Sequence, residues 1–154
     1  MYSSLSIKLI FGIAFIVSFF DALRTNQPWP TLYKTCDAEV LCKECIPRLP
    51  ADFNFIKNFM IDGQGGSREK VEYSYVLTRG TQYLVNLCAG DKTADGIVMS
   101  LYDANRNLIV SSKAGKQYVT ALAYTCSATG IYYIQYTFEG SSSFCGGSTL
   151  SFKR

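Results

Sequence analysis

The chain has 154 residues, 48% of them hydrophobic, a formal charge of +3 and no histidine. Its length suits one domain behind a leader, and the charge, spread without basic runs, gives nucleic acid no footprint. Without histidine, Ser/His and Cys/His catalysis, imidazole-ligated metals and imidazole pH switches are excluded together.

At the start of the chain Lys8 precedes an apolar run over residues 9–20. That run is shorter than the roughly 20 residues a bilayer-spanning helix needs and matches the apolar region of a secretory signal. Ser18 and Ala22 are small, although Phe19 and Phe20 crowd the cleavage position. Residues 1–22 therefore read as a signal peptide. The alternative is a retained membrane anchor with Lys8 snorkelling, the one case in which membrane is a partner. Either way the chain is exported: periplasmic, at the cell surface or secreted.

Residues 23–52 read as a Cys/Pro-rich arm. They hold all four prolines, Pro28, Pro30, Pro47 and Pro50, which lack the donor a sheet ladder needs. Residues 37–41 form a short helical turn between Cys36 and Cys42. Residues 53–154 read as a β domain. Residues 53–61 are apolar on both faces, so their inward side is ambiguous. Val71, Tyr73, Tyr75 and Leu77 then alternate with Glu72, Ser74, Val76 and Thr78, the clearest two-residue period in the chain. Arg79-Gly80-Thr81 turns into residues 82–89, with Tyr83, Val85 and Leu87 inward, and this reads as a hairpin. Residues 97–103 and 108–112 follow, separated by the Asx-rich turn Asp103-Ala104-Asn105-Arg106-Asn107. After a turn at 113–116 come a strand over 117–125 and the strand Gly130-Ile131-Tyr132-Tyr133-Ile134-Gln135-Tyr136-Thr137-Phe138. Its aromatic and β-branched side chains suit a central strand; Tyr132, Ile134, Tyr136 and Phe138 share one face. Residues 149–153 close the sheet. About eight short, regularly spaced strands predict an all-β fold, an antiparallel, jelly-roll-like β-sandwich.

Three of these segments follow a known order: Arg79-Gly80-Thr81-Gln82-Tyr83-Leu84-Val85, then Leu101-Tyr102-Asp103 with Asn105 in the turn, then Gly130-Ile131-Tyr132-Tyr133. Over residues 71–152 the chain resembles the bacterial pre-peptidase C-terminal β-sandwich. That resemblance implies a jelly-roll-like sandwich with binding or structural roles and no chemistry of its own. No catalytic domain is expected within these 154 residues, and the cysteine arm is not part of that pattern.

Cys36, Cys42, Cys45, Cys88, Cys126 and Cys145 make an even set, and export favours disulfides. A redox role for Cys42 and Cys45 would want a helix opening after a βαβ strand, which is missing; zinc thiolates suit an oxidising compartment poorly. The expected pairing joins Cys88 to Cys126 and one arm cysteine to Cys145. Asp91, Asp95 and Asp103 are weak calcium candidates, since the Asp103 loop lacks the glycine and distal glutamate of a calcium loop. Otherwise no cofactor is expected. Trp29, Tyr33, Tyr102 and Tyr133 are the aromatic residues best placed to meet a ligand or partner. The sequence thus predicts a noncatalytic exported module of the bacterial cell envelope or exterior, structural or protein-binding and stapled by disulfides. Its partner is another protein subunit, met through the arm. The alternative is a small glycan-binding module, calcium-assisted, taking polysaccharide.

Overall fold

A computed structural model describes residues 36–89, 96–141 and 144–154. The leader, Trp29, Tyr33, Asp91 and Asp95 lie outside the described residues. Two four-stranded antiparallel sheets face each other. The first, sheet A, orders its strands β1 (Asn54–Asp62), β10 (Cys145–Lys153), β3 (Gln82–Ala89) and β8 (Ala121–Thr125). The second, sheet B, orders β2 (Lys70–Leu77), β9 (Gly130–Phe138), β4 (Ile97–Tyr102) and β5 (Leu108–Ser111). A small separate hairpin, β6 (Lys113–Ala114) and β7 (Gln117–Tyr118), sits between β5 and β8 in the chain. Setting that hairpin aside, consecutive strands alternate between sheets except β4 and β5, which pair within sheet B, and this is the order of a jelly-roll sandwich.

The core lies where period-two alternation places it. Tyr132, Ile134 and Tyr136 of β9 meet Val85, Leu87 and Leu150 across the gap between sheets, with Met99, Leu101 and Ile97 beside them. Tyr136 is wholly buried, and its hydroxyl reaches Oγ of Ser148 at 2.7 Å, so its polar end is satisfied inside the core. β9 occupies an interior position between β2 and β4, which is why its inward set is so aromatic.

Several local expectations change. The segments on either side of Arg79-Gly80-Thr81 are not a hairpin: β2 pairs with β9, whereas β3 pairs with β10 and β8. Gly80, at φ 79°, turns the chain across the gap between sheets, held by the Gly80 N–H on the Cys126 carbonyl at 2.8 Å. Both strands show their apolar residues to the same core from opposite sides, and alternation alone cannot tell that arch from a hairpin. Residues 117–125 divide into β7 and β8, because β7 folds back on β6 around Gly115 at φ 65°. In β1 a bulge between Phe55 and Lys57 changes the phase. Phe59 and Ile61 point to the core and Ile56 packs against it, while Phe55 is exposed. That resolves the segment whose two faces looked equally apolar. β10 begins at Cys145, not at residue 149, and lies between β1 and β3.

Within the arm, Asp37 caps helix α1 (Ala38–Cys45), its carboxylate accepting from the Val40 N–H at 3.1 Å. Pro47 then sits in a 3-10 turn, Ile46–Arg48. α1 lies on the outer face of sheet A. Gly147 makes room for it: a Cβ there would fall 2.7 Å from Cα of Cys42 and closer still to its nitrogen. Further on, Asp52 pairs with Lys153 at 2.8 Å. The described part of the arm therefore packs on its own sandwich.

Candidate functional site

The cysteines fix which faces of the sandwich are closed. Cys36 bridges Cys145 and Cys45 bridges Cys88, with Cα separations of 5.3 and 5.7 Å. The expected Cys88–Cys126 bridge does not form. Cys88 points outward from β3 under α1, whereas Cys126, just past the end of β8, donates to the Ala128 carbonyl at 3.1 Å. Cys42 and Cys126 are buried free thiols. Cys42 donates to the Phe59 carbonyl at 3.3 Å, and burial pushes its thiol up, away from reactivity. Both bridges tie α1 or its approach to sheet A and close the outward side of β3 and β10, while Phe55 and Met60 on the outward side of β1 stay 46% and 56% exposed. Leu84, Asn86, Thr149 and Ser151, which point outward on β3 and β10, are all buried.

Sheet B has no such cover among the described residues. Its outer face is built in rows set by strand register. Val76 lies beside Ile131 in one row. The next carries Ser74, Tyr133, Tyr102 and Leu108, and a third carries Glu72, Gln135, Ser100 and Ser111. Val76, Ile131 and Leu108 are 56%, 48% and 56% exposed. Tyr102 and Tyr133, singled out from the sequence, are thus cross-strand neighbours on β4 and β9.

The Asx turn supplies the rest. Asp103 accepts from the Asn105 and Asn107 N–H groups, both at 2.8 Å, and from the Asn107 side chain at 2.9 Å. The Asn107 side chain foremost, and then these backbone donors, hold its carboxyl below the usual range. Asp103 is thereby occupied inside its own turn. Among the described residues no group of three or more His, Cys, Asp or Glu is placed to hold a metal ion. The turn leaves Arg106 in the left-handed region at φ 66° and sends its side chain back over the sheet. Its guanidinium lies 3.5 Å from the centre of the Tyr133 ring. One Nη donates to Glu72 Oε2 at 2.7 Å. The same oxygen accepts from Gln135 at 3.1 Å and has Lys70 at 4.0 Å. The bond from Arg106 chiefly lowers the Glu72 carboxyl, while partial burial opposes it.

Glu72 and Arg106 were missed in the sequence, as were the roles of Val76, Ile131 and Leu108. Outward parity along each strand was visible, but which strands lie side by side was not. The inter-sheet void offers no alternative site: it measures about 10 Å³, room for roughly one water at most, and its walls are core residues such as Leu77, Val85 and Ile134.

No family model matches the chain, and none of the curated proteins does. Among solved structures it is similar to PliG of Aeromonas hydrophila, a periplasmic lysozyme inhibitor of g-type lysozyme. That match has 13% identity and a TM-score of 0.41, covering 67% of this chain and 86% of that one. It is also similar to the pre-peptidase C-terminal domain of a collagenase from Bacillus anthracis, the kind of domain its strand motifs resemble. Here identity is 14% and the TM-score 0.40, over 63% of this chain and 86% of the other.

Proposed function

We propose that the protein is a noncatalytic, exported interaction module of the bacterial cell envelope or exterior, and that it binds another protein through the outer face of sheet B. One observation carries this reading: the centre of one outer face is covered by α1 and stapled, leaving Phe55 and Met60 exposed only on its edge strand β1, while the other face displays Val76, Ile131 and Leu108 on the same side as a fixed Tyr133–Arg106 pair. Exposed apolar groups beside tyrosine and arginine have the composition of an interface centre. The disulfides suit an oxidising compartment, and the absence of histidine in the sequence supports a noncatalytic role. Glycan binding, favoured by the adjacency of Tyr102 and Tyr133, would need an open ring face for stacking, and the guanidinium of Arg106 lies over the Tyr133 ring.

The test is site-specific photo-crosslinking in cells of the native host. A photoreactive residue at Ile131 is expected to give a discrete protein adduct, and one at Val40, exposed on α1, is expected to give none. Adducts from Val40 alone, or from neither position, would defeat the proposal.

A further inference from the structure

We propose that the free edge of β8 is the seam of a homodimer, in which β8 of a second copy adds antiparallel about a two-fold axis at Ala123. The backbone of β8 gives the reason. At one end the Leu87 N–H donates to the Thr120 carbonyl at 2.7 Å, and at the other the Cys126 N–H donates to the Thr81 carbonyl at 2.9 Å. Both bonds fall on the register that pairs β8 with β3. In an antiparallel ladder bonded and non-bonded residues alternate, so Thr120, Leu122, Tyr124 and Cys126 turn their N–H and C=O groups towards β3. Ala121, Ala123 and Thr125 turn theirs away, to the free edge. Among the described residues no backbone or side-chain group bonds to them there, and all three residues are exposed.

An open sheet edge is a template for a further strand, and the other edges are blunted. β1 carries Lys57 and a bulge, and its Met60 carbonyl accepts from the Tyr73 hydroxyl at 2.5 Å. β2 carries Lys70 and Glu72, and β5 is four residues long with its pairing bulged at one end. β8, Ala121-Leu122-Ala123-Tyr124-Thr125, has no charge, proline or bulge. A second copy fits it without remainder. With the axis at Ala123, that residue lies opposite its own counterpart and Ala121 opposite Thr125. Every unpaired residue then meets an unpaired residue, and each such pair exchanges two hydrogen bonds. The side chains that meet on the outer side are only alanine and threonine. On the inner side Leu122 lies opposite Tyr124 of the second copy, an aromatic–aliphatic pair of the kind that stabilises sheets. The edge stops where the chain leaves it: the Val119 N–H turns to the Ser112 carbonyl, and the Cys126 carbonyl accepts from Gly80. A longer extended segment of another protein would overhang both ends. The seam lies on the edge of sheet A and leaves the outer face of sheet B open.

The experiment takes the whole chain, recovered from an exporting host so that its disulfides form, through sedimentation equilibrium over a dilution series reaching millimolar chain. Amide exchange is read by NMR at the two ends of the series. A reversible dimer is expected. The Ala121, Ala123 and Thr125 amides should exchange fast in dilute solution and become protected when concentrated, while Leu122 and Tyr124, whose N–H groups already face β3, stay slow throughout. A123K sets like charges opposite each other on the axis and should weaken association about tenfold or more. A123S, which keeps a small neutral side chain at the edge, should leave association unchanged. A thermal melt confirms that each variant is folded; if A123K is not, exchange in the parent chain decides. A chain that stays monomeric over the whole series would overturn the proposal, whatever else binds the edge. So would a dimer indifferent to A123K, or one in which the Ala121, Ala123 and Thr125 amides remain unprotected.

Discussion

Arg106 holds a backbone conformation that costs a non-glycine residue about 1–2 kcal/mol, at φ 66°. Its exposed ion pair returns little of that, so the position contributes little net stability. R106G, which relieves the backbone and deletes the side chain, is therefore expected to move the thermal midpoint by no more than about 4 °C in either direction, measured by calorimetry. A drop several times larger would make Arg106 structural. Tyr136 is the opposite case. Its hydroxyl and Ser148 Oγ satisfy each other inside the core, so Y136F strands a buried hydroxyl and should cost about 1–3 kcal/mol in urea unfolding. Acid acts through three carboxyls: Glu72 lowered chiefly by Arg106, Asp52 by Lys153, and Asp103 by Asn107. Each has a folded pKa below its unfolded value. Their stabilisation is thus fully present above roughly pH 5 and drains away as the pH falls through the depressed values. A melting temperature flat from pH 5 to 7 and declining below about pH 4 is expected; decline beginning near neutrality would contradict the assignment.

Among the elements, α1 and β10 show how one residue decides packing. Gly147 is outward on β10, and any Cβ there meets backbone of the helix, which cannot swing aside as a side chain would. G147A should lift α1 from sheet A and cost about 3 kcal/mol, the upper part of the range for overpacking. Amide exchange in β3 and β10 should rise with it. If G147A melts like the parent, α1 is not seated as described. Much of the element level was legible: the spans of β2, β3, β4 and β9 follow from alternation, and the inward sets Tyr83/Val85/Leu87 and Tyr132/Ile134/Tyr136 are the core. The β1 bulge was not legible, because a one-residue phase change in a segment apolar on both sides leaves no mark on composition.

For the molecule as a whole, the bridges close loops with sequence separations of 109 and 43 residues. Chain-entropy arguments give such loops about 5 and about 4 kcal/mol. Removing Cys36–Cys145 (C36S/C145S) should therefore cost at least as much as removing Cys45–Cys88 (C45S/C88S), judged by denaturant midpoints. Mass mapping of a non-reduced digest should find these two bridges, with Cys42 and Cys126 alkylated only after unfolding. A Cys88–Cys126 peptide would refute the pairing.

The sequence by itself determined the spans of β2, β3, β4 and β9, the faces that β3 and β9 bury, and the tyrosines worth watching. All of these depend on residues close together in the chain, through side-chain alternation and turn chemistry. Tertiary structure alone decided strand order, disulfide partners and the composition of the open face. β9 meets β2 and β4 across long separations, and that register sets Tyr133 beside Tyr102 with Ile131 beside Val76. Pairing between distant strands is chosen by how whole sheets close their apolar faces on one another, a cooperative choice that no local window of residues contains.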